Sequence, residues 1–356
     1  MPAFFVRNTL NRLVPFLFVC FALAQGPEPI QIKPVAETEP VSKDSDDPAI
    51  WVHPTDPERS IIIGTDKDQD GGLYVYNLDG KTVQHVSGLA RPNNVDVEYG
   101  FKLGGRTIDI AVATERLKRR LKVYEINRET GQLTDVSGDT EVFKGEEGEG
   151  GAPMGISLYR HESGTVDAIV SPKTGPLDGY LGQFRLTANE AGKVDVKPIR
   201  RFGRFSGSGE IEAIVVDDSA NRVIYGDEDF GIRIYAANPD TPDANRELAV
   251  IGLTGYAGDR EGLAVYPHTD GSGWIISSNQ LEEGQTEFKV YDRKAPHTLR
   301  AVFKGGADAT DGLDVTNAAL GRKFPAGFLV AMNSRGKNFM IYKWEDLGRA
   351  LAKVSN

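Results

Sequence analysis

Two adjacent carboxylates, Asp46 and Asp47, stand directly before a proline and a short apolar run, Ala49-Ile50-Trp51-Val52. Proline bars the helical region for the residue before it, so Asp47 is expected in extended backbone at the entrance to a strand. A carboxylate pair held there offers the oxygen ligands that a hard cation such as Ca²⁺ requires. An acidic loop in front of a buried strand would look the same, and this stretch alone does not separate the two. The rest of the chain repeats the arrangement. Polar or acidic residues enter comparable runs at Asn94, Glu212, Glu261 and Asp311, with Met154 as the exception. A second set of apolar runs ends in Lys67, Arg116 and Lys173, then in Glu228, Gln280 and Asn333. Turn chemistry accounts for any one of these residues, but it does not explain cations in phase in three successive copies.

The elements that must position them are short β-type runs separated by Gly, Asp and Asn turns. A run ending in an aromatic recurs six times, closing at Tyr76, Tyr124, Phe184, Tyr235, Tyr291 and Tyr342, at intervals of 48, 60, 51, 56 and 51 residues. Repeats near that length built from short strands predict propeller blades, here six of four antiparallel strands each around a central channel. The only helical pattern past the N-terminal segment is the closing WEDLGRALAKV. Consecutive antiparallel strands put the start of one and the end of the next at the same edge. The acidic entrances and the basic exits should therefore meet on one face of the ring.

Composition bounds the partners. The 356 residues are 40% hydrophobic and 26% charged, with a formal charge of −10, which argues against nucleic acid. Arg7, Arg12, the apolar stretch Leu13 to Ala24 and the small-x-small end Ala22-Leu23-Ala24 read as an export signal over 1–24, implying a periplasmic or extracellular protein. Its removal takes the charge from −10 to −12 and removes Cys20, the one cysteine. The mature chain then has no disulfide, thiolate metal site or cysteine nucleophile, and no segment to hold it in a membrane. Residues 25–43 read as a linker leading to a first strand, and 44–350 as one propeller domain, expected to work as a monomer.

The segments DDPAIW (46–51), LDGK (78–81), NNVDVEYGF (93–101), EGLAVY and TDGLDVT resemble the calcium-dependent β-propeller phytases of the Bacillus type, in the same order and over roughly 40–348. The resemblance implies a six-bladed propeller that hydrolyses phosphate monoesters of myo-inositol hexakisphosphate to lower inositol phosphates and inorganic phosphate. It implies several calcium ions, catalytic and structural. Asp46 and Asp47 match the aspartates for calcium and the attacking water, and Lys67, Arg116 and Lys173 match the basic phosphate ligands. Glu212, Glu228, Asp259, Glu261 and Gln280 match the group around the active-site calcium ions. Asn93, Asn94 and Asp96 match a structural calcium loop; Asp308, Asp311 and Asn333 match a further calcium region. Two positions depart from the pattern: Met154 replaces a phosphate-touching tyrosine, and Thr174 replaces a glutamate.

The chemistry expected from these residues is direct attack on phosphorus by a calcium-bound water oriented by Asp46 or Asp47, with the cations stabilising the equatorial oxygens. A lysine or a water would protonate the leaving oxygen. Other phosphatase routes fit poorly: Arg160-His161 is followed by Glu162, the five histidines are isolated, and the Gly145–Gly151 stretch lacks the Lys-Ser/Thr of a phosphate-binding loop. Two alternatives remain at this point. A lactonase-like calcium propeller would need few cations at its mouth, and a non-catalytic binding propeller would need exposed aromatics there.

Overall fold

The computed structural model describes residues 27–354; the predicted export signal and Cys20 lie outside them. Six sheets follow one another along the chain as blades. Blade one is Ser45–Trp51, Ile61–Asp66, Gly71–Asn77 and Thr82–Leu89, and blade two is Pro92–Leu103, Arg106–Glu115, Arg120–Ile126 and Leu133–Asp135. Blade three is Pro153–Arg160, Val166–Pro172, Asp178–Ala188 and Val194–Arg204; blade four is Ile214–Asp217, Arg222–Asp227, Gly231–Ala236 and Ala249–Ile251. Blades five and six begin with Leu263–Pro267 and Leu313–Thr316. Within each of these runs neighbouring strands are antiparallel. The protein is a six-bladed β-propeller with a single α-helix, Trp344–Val354, among the described residues.

The first strands of neighbouring blades pack side by side around the axis. A cavity of about 40 Å³ remains between them, lined in part by Asp47, Asn94, Asp96, Glu261 and Asp314. Side chains on these inner strands tie one blade to the next. Asp96 accepts from the backbone N–H of Leu158 (2.7 Å) and from the Ser157 hydroxyl (2.9 Å), and Ser157 in turn accepts from the N–H of Val216 (3.0 Å). Asp314 accepts from the N–H of Ile50 (2.8 Å), joining blade six to blade one. Pairing a strand's free donor with a buried carboxylate removes the penalty of an unsatisfied backbone group.

The core lies between blades, as six apolar clusters that each combine two neighbours. Aromatic residues that close third strands, Tyr76, Tyr124, Tyr235 and Tyr342, are almost wholly buried in them. Trp51 is fully buried and donates to Asp109 (3.1 Å), which Arg128 grips through two nitrogens. His53 is a turn residue: its Nδ1 accepts from the Asp56 N–H (2.9 Å), and its Nε2 bonds the Arg128 carbonyl.

The segment read as a linker does more than lead in. Ala36–Glu37 pairs antiparallel with Asn338–Lys343 as the outer strand of blade six, and Ile30–Gln31 adds a parallel fifth strand to blade five. Four backbone bonds to residues far along the chain fasten it: Ile32 to Lys304, Val35 to Ile341, Thr38 to Phe339 and Val41 to Lys337. At roughly 1 kcal/mol net for each such bond, their loss removes several kcal/mol. A mature chain beginning at Ser42 is therefore expected to unfold at a clearly lower urea concentration than one beginning at Gln25, as followed by near-ultraviolet circular dichroism.

Candidate active site

Acidic strand entrances and strand exits do converge on one face. Lys67, just past the second strand of blade one, forms ion pairs with Asp46, with Asp311 (3.1 Å) and with Glu212 (3.9 Å). Residues from blades one, four and six thus meet at one ammonium. Asn93 spans the same group, donating to Asp46 (3.5 Å) and to Glu212, and Gln280 donates to Asp311. Burial opposes the charge on Lys67, but the three carboxylates outweigh it and hold the pKa far above its ordinary value. Burial drives the Asp46 pKa up; Lys67 opposes that rise, and Glu212 and Asp311 add to it.

Asp47 faces the channel. Its Oδ2 accepts from the N–H of Val95 (3.0 Å), and its own N–H donates to the Thr65 hydroxyl (2.9 Å). Glycine is required beside it: a Cβ on Gly312 would collide with Asp47 Oδ1 and lie 2.6 Å from its Cα. Gly155 and Gly262 play the same part in blades three and five, where a Cβ would strike the backbone of Glu212 and Asp311. Inner strands can therefore approach closely enough to bring their acidic entrances together.

Two triads of carboxylates stand beside this group, one of Glu210, Glu212 and Glu228, the other of Glu228, Asp259 and Glu261. In each triad, one oxygen from every residue lies within 4.8 Å of the others, and Glu228 belongs to both. Burial raises the Glu228 pKa to about 8, with the Glu212 and Asp259 charges adding and Lys173 opposing. Burial also lifts Glu261 well above its usual range, helped by Glu212, Glu228 and Asp311. Buried oxygens without partners mark the same region: Glu261 Oε2, Asn93 Oδ1 and Asn94 Oδ1. A hard cation supplies what such oxygens lack, so the residues fit calcium.

On the other side of the mouth, Lys173 pairs with Glu210. Burial and then the Arg116 charge push its pKa below the ordinary lysine value. Arg116 makes no side-chain hydrogen bond or ion pair with the described residues, although Glu212, Glu149 and Asp46 lie near enough to act on it. The loop Gly145–Gly151 is held by Arg119, which donates to the carbonyls of Glu146 and Gly148. This brings Glu149 to bear on both Arg116 and Lys173.

Placement departs from expectation at several residues. Asn93, Asn94 and Asp96 lie on the inner strand Pro92–Leu103 rather than in a loop. Asn93 turns to the Lys67 group, while Asp96 is engaged with blade three. Asp308 and Asn333 come together, the Asn333 amide oxygen accepting from the Asp308 N–H (3.2 Å), whereas Asp311 stands apart with Lys67. Gln280 joins Asp311 and reaches Asp259 only through its backbone N–H. Met154 is buried, and its carbonyl accepts from Thr114. Sequence reasoning passed over Glu210, Glu149 and Arg91. Glu210 follows a Ser-Gly run and sits two residues before Glu212, so alternation on an extended strand was the available signal.

A propeller whose inner-strand entrances and second-strand exits bring carboxylates and cations to one rim defines a charged, hydrolase-like site. The comparisons make it specific. The family model described as "Phytase" matches residues 13–356. The 3-phytase of Bacillus subtilis (strain 168) is 32% identical over 341 residues, covering 89% of this chain and 85% of that protein. This chain belongs to the phytase family. The crystal structure of BBS1N in complex with ARL6DN, soaked with lead, overlaps at a TM-score of 0.47 with 12% identity, over 85% of this chain and 77% of that one, a likeness too loose to bear on function.

The raised carboxyl pKa values make stability depend on pH. Between the ordinary Glu value of 4.5 and about 8, folded Glu228 keeps a proton that the unfolded chain has released. Stability then falls as pH rises through that window. With a chelator present, the melting temperature is expected to drop by about 5 °C or more from pH 5 to pH 8, each kcal/mol being worth a few degrees at this size. Millimolar calcium should abolish the drop, and thermal scans at both pH values check it.

Proposed function

We propose that this phytase is calcium-dependent and of the 3-phytase type, releasing inorganic phosphate from myo-inositol hexakisphosphate, and that it acts outside the cytoplasm after removal of residues 1–24. The observation that carries the calcium reading is the pair of carboxylate triads sharing Glu228, set against Lys67, Arg116 and Lys173. Glu210, Glu212, Glu228, Asp259 and Glu261 would hold the active-site ions. Bound calcium would neutralise these carboxylates, attract phosphate oxygens and acidify a coordinated water.

The chain's own residues divide the remaining work. Lys67 is held so firmly cationic by Asp46, Glu212 and Asp311 that it suits charge stabilisation at the equatorial oxygens rather than proton delivery. Arg116 makes no hydrogen bond or ion pair with its side chain among the described residues and is suited to the same oxygens. Lys173, whose pKa is lowered by burial and by Arg116, is the better proton donor, giving an Nζ proton to the leaving inositol oxygen. Asp46 and Asp47 orient the attacking water, their backbone fixed by Gly312 and Thr65. A lactonase-like site is disfavoured by the number of cations gathered here, and a plain binding propeller by the burial of Trp51 and the strand tyrosines.

Phosphate release from phytate, with calcium titrated from chelated to millimolar, tests the reading. Activity should require calcium and fall by about 10²–10³ in folded Asp47→Ala and Lys67→Ala proteins. No release from the folded wild-type protein at any calcium level would overturn it. For Lys173→Arg, which keeps the charge but gives up no proton, kcat is expected to fall by at least about 10² with KM nearly unchanged.

A further inference from the structure

Four cations reach the mouth, and they are not alike. Lys67 and Lys173 are paired to carboxylates. Arg116 and Arg91 have no side-chain hydrogen bond or ion pair among the described residues, in a chain with 51 acidic and 41 basic residues. Arg91 Nε is buried without a hydrogen-bond partner among the described residues. The two arginines feel one another, since after burial the Arg91 charge is the next influence lowering Arg116. Carboxylates act on both from a distance, Glu212, Glu149 and Asp46 on Arg116 and Asp44 on Arg91, but none pairs directly with either, and the planar donor sets left open match the oxygens of a phosphate.

The backbone around Arg91 is as specific. It joins blade one to blade two with φ +57°, a left-handed conformation that a non-glycine residue adopts at a cost of order 1–3 kcal/mol. Its N–H donates to the Asp68 carbonyl (2.9 Å), in the turn that follows Lys67, and its own carbonyl accepts from the N–H of Arg116 (3.1 Å). Arg91 therefore couples the Lys67 turn to the Arg116 turn. The strained backbone and the unpartnered guanidinium occur at the same residue.

We propose that Arg91 is a substrate-phosphate-binding residue, acting with Arg116 as a guanidinium pair that closes on one phosphate monoester group of the substrate. The assignment rests on the phytase reading above and adds a residue and a specificity to it. The pair favours a dianionic phosphate over a singly charged anion, and it positions that phosphate relative to the Lys67 group through the shared backbone.

The test uses the mature calcium-loaded protein with phytate as substrate and inorganic phosphate as competing ligand. Charge-assisted hydrogen bonds contribute enough that Arg91→Gln should raise both KM for phytate and Ki for inorganic phosphate by about 10–100-fold. Arg91→Lys should recover part of the loss. Arg91→Gly relieves the left-handed backbone, so it should melt no lower than wild type while losing phosphate affinity like the glutamine variant. Unchanged KM and Ki in folded Arg91→Gln and Arg91→Gly proteins would overturn the assignment. Should wild type release no phosphate from phytate, the activity reading fails on its own account. Calorimetric binding of inorganic phosphate to wild type and to Arg91→Gln would still decide the arginine pair: weaker binding to the variant supports it, and equal binding overturns it.

Discussion

Repulsion among buried carboxylates is the constraint on which the rest of this structure depends. Asp46, Asp311, Glu212, Glu228 and Glu261 arrive from four blades at one rim, where water is too scarce to screen them. No single blade could hold such a group, because each carboxylate would turn away to solvent. The propeller holds them by fixing four at the entrances of inner strands packed on both sides, and Glu228 at the exit of the second strand of blade four. Lys67 relieves part of the repulsion at one point, and on the Glu228 side Lys173 offsets it only in part. The mouth thus gathers carboxylates around Glu228 and cations at Lys67, Arg116 and Lys173.

The means of holding that arrangement is ordinary. Inner-strand glycines let strands approach, and Asp96, Ser157 and Asp314 pass hydrogen bonds from one blade to the next. Apolar clusters between the blades supply the adhesion. Polar groups thus fill different roles at different depths. Asp96 and Asp314 bind backbone along the channel, while Asp46 and Glu212 keep oxygens directed to the rim.

Much of this was legible in the sequence because the inner three strands of each blade are apolar runs with polar ends, and their phase is kept across six copies. The outer strands were harder to read for physical reasons. Thr82–Leu89 is mostly exposed, Leu133–Asp135 is only three residues long, and blade six takes its outer strand from a segment that reads as a linker. At the site, Asp46, Lys67 and Glu212 fall where their phase put them. Arg91 lies in a bend outside the repeated runs, and nothing local in its sequence says what it faces; Glu210, also outside them, offers only its two-residue spacing from Glu212. Asn93 and Asn94 resemble turn residues by type, yet sit on a strand, where tertiary packing overrides that preference.

Blade six is assembled from the two ends of the described chain, Ala36 opposite Ile341 and Glu37 opposite Met340. That register separates early and late residues by almost the whole length of the protein. Loop-closure entropy grows only with the logarithm of the span, so the seam is not costly once formed. Such a contact is among the most non-local a chain can make, however, and contacts of this kind slow folding. During synthesis the ring must wait, open at one edge, until Asn338–Lys343 has been made. The seam between blades six and one is then the last part of the ring to close, and Asp46, Asp47 and Asp311 lie on its two sides.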